Sequence, residues 1–278
     1  MAPTVEQIEV LITVKAAPEI STSYGETVCV AGVRCDQAKP SWVRLFPVPF
    51  AAFHGPGGFK KYDRLRISVT RHPPGRDHRP ESRRPDLGSV ERLDHLTASN
   101  AWRARNEVLS QLPRRSMCRL IADKGVDRQS LALVRPAEVF DLEVEDLRTT
   151  EAFSRKEAQA LVTQFDLFSE TTSPPIELCP VRFRYHYRCD EPGCAGNHHQ
   201  SIVDWELSEA WRTWPNEGEA DLLDQIRRKW LVEMCGPKRD TQFFVGNQHK
   251  SPQAFMVLGV YWPPRLTDPG AAQLALEL

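Results

Sequence analysis

The densest group of potential metal ligands in this sequence lies in one short loop. Cys189, Cys194, His198 and His199 fall within eleven residues that also contain a proline and two glycines. Zn²⁺ prefers four thiolate or imidazole ligands in a tetrahedron, and a Gly/Pro-rich turn lets two of them reach one ion. The loop therefore predicts a zinc-knuckle-like structural site. Because neighbouring histidines reach one ion only with a strained backbone, we expect one to bind and the other to face solvent.

The sequence leaves the fourth ligand of this site open. The second histidine of the pair, Cys179, Cys235 and His186 are the candidates. Four thiolates also suit an iron–sulfur cluster, so Cys179, Cys189, Cys194 and Cys235 form an alternative ligand set. A polar loop with incidental cysteines and no metal is the remaining interpretation.

A pair of carboxylates follows the loop directly, at Asp204 and Glu206. In an extended segment, residues two apart share a face, and two carboxylates can hold Mg²⁺ with Lys229 or Lys238 as a partner, as in a metal-dependent nuclease or nucleotide-processing enzyme. In a helix the same residues point apart, and Asp204 would instead favour the helix N-terminus. The helical interpretation is the more common outcome for such a pair.

Basic residues are unevenly distributed in a chain that is nearly neutral overall. The 278 residues contain 36 Lys and Arg against 37 Asp and Glu, but residues 60–128 contain 17 basic and nine acidic side chains, a local charge of +8. Most of these are arginines, which suit bidentate phosphate contacts. We therefore expect a DNA- or RNA-binding face, although general arginine use would leave the same bias. Its candidates are Arg44, Arg64, Arg66, Arg71, Arg79, Arg83 and Arg84, extended by Arg182, Arg184 and Arg188.

Composition and the lack of several motifs narrow the class of protein. The chain is 41% hydrophobic and 26% charged, as in ordinary globular proteins. It has no apolar run that predicts a membrane span or a secretory signal, and seven cysteines in a chain of this length favour a cytoplasmic setting. No phosphate loop and no nucleophile elbow is present. Enzymatic activity stays undecided, and a scaffold that binds an acidic protein partner is a further hypothesis.

Alternating apolar residues predict most of the secondary structure. We expect strands at 8–15, 26–34, 41–46, 62–70, 117–122, 130–135, 138–145, 181–189, 242–246 and 255–261, and an exposed loop at 72–85. Helices are predicted at 101–112, 151–165, 201–214 and 219–234.

These elements predict an α+β protein with two main parts. We expect a β-rich, barrel-like or curled-sheet domain over residues 1–147, and a helix and linker over 148–175. A C-terminal α/β domain that contains the Cys/His loop would follow over 176–265, with a tail at 266–278.

Five short segments resemble those of an uncharacterised group of bacterial proteins of unassigned function. They are residues 24–29, 42–50, 79–82, 204–206 and 243–247. The resemblance implies no activity and no catalytic residue. It does imply that Arg44, Arg79, Glu81 and the 189–199 loop belong to one structural unit.

Overall fold

The computed structural model describes residues 4–265 of the chain, except residues 18, 22–24, 50–57, 74, 78, 124, 126–128, 152, 156–177 and 250. The strands are β1 Val5–Lys15, β2 Glu19–Ser21, β3 Gly25–Arg34, β4 Ser41–Pro49, β5 Asp63–Thr70, β6 Ser82–His95, β7 Leu131–Val134, β8 Pro136–Asp146, β9 Val181–Cys189, β10 His198–Ser201, β11 Gln242–Asn247 and β12 Phe255–Tyr261. The helices are α1 Ser99–Leu109, α2 Met117–Ala122, α3 Trp205–Thr213 and α4 Glu219–Arg227, and a π-helical segment, Arg228–Glu233, continues α4. No helix within the described residues is long and apolar enough to cross a membrane.

The first part of the chain is a closed five-stranded barrel, which confirms the expected β-rich barrel. Its strands pair in the ring β1-β5-β6-β4-β3, and β1 closes the ring by pairing with β3 as well as with β5. Every pairing in the ring is antiparallel except that between β4 and β6. Numbered along the barrel alone, the order is 1-4-5-3-2 with strands 3 and 5 parallel, which is the topology of the OB-fold.

The barrel interior is filled by aliphatic side chains that alternate along each strand. In β5, for example, Leu65, Ile67 and Val69 are at most 1% exposed, whereas the intervening residues are only partly buried. This two-residue period arises because successive side chains of a strand point to opposite faces. The barrel therefore has its own apolar core.

Two three-stranded sheets and the helices α2, α3 and α4 form the second part of the chain. One sheet has the order β10-β9-β8 and is called here the ligand sheet; the other has the order β12-β11-β7 and is called the packing sheet. Tyr185 and Phe243, one from each sheet, stack with their ring centroids 4.6 Å apart and join the two sheets in one core.

The packing sheet covers the outer face of one wall of the barrel. Leu11, Ala31 and Val33 point outward from β1 and β3, and they form a second apolar cluster with residues of β7, β11 and β12. The ring of Trp42 on β4 meets that of Phe244 on β11 edge-on, with centroids 6.2 Å apart. This wall is buried on both faces, so β1, β3 and β4 present no open surface at these positions.

A buried arginine ties the same wall to the packing sheet. Arg44 on β4 is 2% exposed, and its guanidinium donates to the carbonyl oxygen of Ser130 (3.1 Å) and to Cys29 Sγ (2.9 Å). Glu81 accepts from the backbone N–H and hydroxyl of the same Ser130, at 2.6 and 2.9 Å. Arg79 donates to the carbonyl oxygen of Asn247 at the end of β11 (3.0 Å). Four of the five resembling segments thus meet at this joint, and Arg44 is a structural residue whose burial does not fit the expected phosphate contact.

The structure differs from the predicted secondary structure at residues 117–122 and within the segment 72–85. Residues 117–122, expected as a strand, form the helix α2, because the Ser116 hydroxyl accepts from the backbone N–H of Arg119 and caps a helical turn. The expected loop at 72–85 gives way to β6 from Ser82, which pairs with β5 and β4. The predicted helix at 151–165 lies mostly outside the described residues.

The sheets do not divide the chain at residue 147. Strands β7 and β8 lie within the expected first domain, yet β7 pairs with β11 and β8 pairs with β9. Hydrogen bonding between strands far apart in sequence places these residues with the second part, which local patterns along the chain do not indicate.

Arg44→Ala is expected to lower the free energy of unfolding by roughly 3 kcal/mol, because it opens a cavity and removes one of the two donors to the buried carbonyl oxygen of Ser130. Urea unfolding followed by far-UV circular dichroism measures the change. Arg64→Ala is the control, since Arg64 pairs with Asp94 at the surface and solvent screens that pair. An equal loss in both variants would show that the joint does not stabilise the fold.

Candidate metal centre and arginine surface

Four soft ligands from three elements meet at one end of the ligand sheet. Cys189 ends β9, Cys194 lies in the following turn, His198 begins β10, and Cys118 lies in the first turn of α2. Their ligand atoms all lie within 4.8 Å of one another. The group can therefore hold one metal ion.

The distances between these atoms match the edges of a metal-centred tetrahedron. Metal–sulfur and metal–nitrogen distances of about 2.3 and 2.0–2.1 Å imply S···S and S···N edges of roughly 3.8 and 3.6 Å. The Sγ atoms of Cys118 and Cys189 are 3.6 Å apart, and His198 Nε2 lies 3.4 Å from Cys118 Sγ and 3.3 Å from Cys194 Sγ. The side chains thus already surround a space of the right size for a small tetrahedral cation such as Zn²⁺.

Backbone geometry and a carboxylate hold the loop against α2. Gly193 and Gly196 have φ of +78° and +73°, a conformation that favours glycine, and they turn the chain between β9 and β10. Glu191 accepts from the Ser116 hydroxyl at 2.6 Å and pairs with Arg119 at 2.9 Å. These contacts fix the helix that carries Cys118 beside the loop that carries the other ligands.

Electrostatics also favour a cation at this position. Burial and the neighbouring thiols of Cys189 and Cys194 raise the pKa of Cys118 to about 12. Three thiolates cannot share so small a space without a compensating charge, whereas a bound metal ion deprotonates its thiol ligands.

The two adjacent histidines lie on opposite faces of β10. His198 is 6% exposed and faces the thiols, whereas His199 points to the outer face, where its Nδ1 lies 3.0 Å from Glu143. His186 also lies on that outer face, stacked on His199. Neither His199 nor His186 is therefore the fourth ligand of the cysteine group.

The four-cysteine ligand set is not assembled. Cys179 Sγ donates to the carbonyl oxygen of Val181, and Cys235 Sγ donates to that of Trp230, both at 3.3 Å. Neither belongs to a ligand group within the described residues. The fourth member of the group is instead Cys118, which local sequence patterns do not indicate because it lies 71 residues before Cys189 in a segment predicted as a strand.

The carboxylates of Asp204 and Glu206 are bound by a lysine rather than arranged around a metal. Asp204 caps α3 by accepting from the backbone N–H of Glu206. Lys61 Nζ lies 3.3 Å from Asp204 Oδ2 and 2.9 Å from Glu206 Oε2. The ammonium group thus occupies the position that Mg²⁺ would need. Lys229 pairs with Glu233 instead, and the backbone carbonyl of Lys238 accepts from the N–H of Arg265.

Most of the candidate phosphate-binding arginines are neutralised within the protein. Arg64 pairs with Asp94, and Arg66 pairs with both Glu9 and Glu91. The other paired candidates are Arg79 with Asp77, Arg182 and Arg184 with Glu145, and Arg188 with Glu138. These side chains hold the protein's own carboxylates, so they are poorly placed to bind phosphates.

A smaller set of arginines at one end of the barrel has no acidic partner among the residues that the structure describes. We call Arg71, Arg76, Arg83 and Arg84 the β5–β6 arginine cluster, since they lie in the loop between these strands and at the start of β6. Among the described residues none of the four forms an ion pair, and Arg71, Arg76 and Arg84 are exposed. Arg83 donates only to backbone carbonyl oxygens.

Two family models account for nearly the whole chain. A domain of unknown function (DUF8757) matches residues 113–277, which is more than half of the sequence. The chain belongs to this family. Another domain of unknown function (DUF8758) matches residues 6–111, which span the barrel and α1. In this DUF8757 member all four ligands of the metal group, Cys118 included, fall within the first match, together with β7 and β8.

Similarity to proteins outside these families is low. No curated protein matches the chain. A replication protein A heterotrimer bound to ssDNA is 11% identical with a TM-score of 0.36, and the match covers 99% of this chain and 52% of that one. A murine DNA binding protein bound with ds DNA is 9% identical with a TM-score of 0.31, over 95% of this chain and 98% of that one. TM-scores this low do not establish a shared fold, and this chain spans about half the length of the first structure.

Cys118→Ser is expected to reduce bound metal from about one ion per chain to a small fraction of that value, because it removes one of four ligands. Elemental analysis of the purified protein measures it. Cys179→Ser is the matched control and retains the metal, since its thiol only contacts a backbone carbonyl. Full metal content in Cys118→Ser, or a loss in Cys179→Ser, would contradict the assignment.

Lys61→Met is expected to destabilise the fold in a pH-dependent way. Burial raises the pKa of Asp204 to about 6, and removing Lys61 raises it further. The folded state then binds a proton more tightly than the unfolded chain, whose aspartate pKa is about 3.9. A loss of roughly 3 kcal/mol at pH 7.5 therefore shrinks as the pH falls to 5.5.

Urea unfolding at the two pH values measures this difference. Lys229→Met is the control, because its partner Glu233 lies at the surface. An equal loss for Lys61→Met at both pH values would show that Asp204 does not depend on Lys61 for its charge.

Proposed function

We propose that this protein binds nucleic acid through sequence-independent phosphate contacts made by the β5–β6 arginine cluster. The observation that carries the proposal is the set of arginines in the β5–β6 loop region of a barrel with OB-fold topology that form no ion pair within the described part of the chain. OB-fold barrels bind oligonucleotides with the face of their second and third strands and with the adjoining loops, including the loop between the fourth and fifth strands. In this chain that loop joins β5 to β6.

Charge accounting supports a polyanion at this surface. Burial, and then the positive charges of Arg71 and Arg34, lower the pKa of Arg83. The pKa of His72 is lowered by burial, against the opposing charge of Asp77, with further lowering from Arg79 and Arg84. Burial is the main cause of both shifts, and the arginine contributions reflect close positive charges whose repulsion a phosphate chain would relieve.

The covered wall of the barrel favours phosphate contacts over base recognition. The outer faces of β3 and β4, which an OB-fold uses for bases, pack against β7, β11 and β12. Trp205 and Trp230 are 7% and 3% exposed, so neither offers a ring on which a base could stack. Arginines that contact phosphates bind without regard to sequence.

In this proposal, a metal ion bound by Cys118, Cys189, Cys194 and His198 has a structural role. We propose that it is zinc, because three thiolates and one imidazole form a closed set of four ligands, without the open position that a catalytic zinc needs. The ion would link α2 to β9 and β10 and so stabilise the half of the molecule that covers the barrel wall.

The triple variant Arg71→Ala, Arg76→Ala, Arg84→Ala is expected to weaken binding of single-stranded and duplex oligonucleotides alike. Each phosphate contact contributes about 0.7 to the slope of log K against log salt for a single strand and about 0.9 for a duplex. The slope should therefore fall by roughly 2 to 3. Fluorescence anisotropy of labelled oligonucleotides of unrelated sequence, between about 50 and 200 mM salt, measures both quantities.

A control with the same change in net charge separates this site from overall charge. The triple variant Arg182→Ala, Arg184→Ala, Arg188→Ala removes three arginines that the protein already pairs with Glu145 and Glu138. We expect its salt slope to match that of the wild type. No detectable binding by the wild type, or equal losses in both triple variants, would reject the proposal.

A further inference from the structure

The outer face of the ligand sheet carries a second group of metal-ligand side chains. Glu143 of β8, His186 of β9 and His199 of β10 each offer one ligand atom, and these atoms lie within 4.8 Å of one another. The strand register accounts for the grouping, since His186 is directly opposite His199 and Glu143 is opposite Arg184, two residues before His186. The group lies on the other face of β10 from the cysteine ligands.

The ion pairs of β8 distinguish Glu143 from the other carboxylates of that strand. Glu138, Asp141, Glu145 and Asp146 pair with Arg188, Arg227, Arg182 and Arg148 respectively. Within the described residues the partner of Glu143 is His199, whose Nδ1 lies 3.0 Å from Oε1. Glu143 is therefore the carboxylate of β8 that no arginine neutralises.

The ring of His186 is oriented before any ligand binds. His186 Nε2 lies 3.0 Å from the carbonyl oxygen of Gly196 and is the natural donor to it, which leaves Nδ1 to carry the lone pair. The His199 ring stacks on it nearly parallel, at a centroid distance of 4.2 Å, so the more exposed His199 ring would turn about χ2 to share an ion that lies in both ring planes. A metal-binding histidine is commonly oriented by such a contact at its other ring nitrogen.

We propose that Glu143, His186 and His199 form a second metal site, which binds a divalent transition-metal ion through two imidazoles and one carboxylate. Such ions accept mixed nitrogen and oxygen ligands, and three protein ligands leave coordination positions open. His199 is 44% exposed and Glu143 is 34% exposed, so those positions face solvent and an exogenous ligand can reach them. The first site is closed by four ligands, whereas this one is open.

The charges around the group favour a cation over a phosphate. Arg182 and Arg184 on this face share Glu145, and Arg188 pairs with Glu138. Within the described residues Glu143 is thus a carboxylate whose partner is the imidazole of His199 rather than an arginine. A metal ion would neutralise it, whereas a phosphate would be repelled by it.

The test is a metal titration of the full-length protein whose first site already holds one zinc per chain. Equilibrium dialysis against Co²⁺ or Ni²⁺, with elemental analysis and the visible absorption spectrum, measures a second equivalent. We expect the wild type to bind one further ion, and Glu143→Gln and His186→Asn each to weaken that binding at least tenfold. First-site zinc remains at one per chain, because neither residue contacts its ligands.

Glu145→Gln is the matched control, since it makes the same change two residues along β8 on the same face. Its second equivalent should bind as in the wild type. Absence of a second equivalent in the wild type, or equal affinities in Glu143→Gln and Glu145→Gln, would overturn the proposal.

Discussion

The contact between the packing sheet and one wall of the barrel is the interaction on which the rest of the structure depends. It buries outward-facing aliphatic residues of β1 and β3 and encloses Arg44, whose guanidinium binds Ser130 on the far side of the interface. An apolar wall of this size would otherwise face water, and a buried cation requires partners at fixed positions. The wall that a free OB-fold barrel would use for bases is consequently unavailable, and the loop at the barrel end is left for an external partner.

Local sequence patterns predicted the strands well where apolar and polar residues alternate. Alternation in β5 and β9 follows from rules that act over a few residues. The strand predicted at residues 117–122 was wrong, because a short apolar run fits a strand or a helix equally and the Ser116 cap favours the helix. The strand β6 was not predicted at its start, because its proline and arginines are typical of loops.

Candidate sites could be predicted only as far as their ligands lie close together in the sequence. Cys189, Cys194 and His198 are neighbours along the chain, whereas Cys118 joins them through tertiary packing. Lys61 likewise meets Asp204 across 143 residues, which no local spacing indicates. The arginine count indicated the local positive charge but not which arginines can bind an external ligand, because Arg64, Arg66 and the arginines of β9 form ion pairs within the protein. Accessible charge is a property of the folded surface, and the sequence alone cannot separate it from total charge.

We propose that nucleic acid meets the barrel at its β5–β6 end while the covered wall stays closed. Amide hydrogen exchange of the full-length protein, with and without a saturating oligonucleotide, tests this directly. We expect slower exchange on binding in peptides that cover residues 71–84, with unchanged exchange in β3 and β4. New protection in β3 and β4, or faster exchange in β7 and β11 as the packing sheet separates, would contradict it.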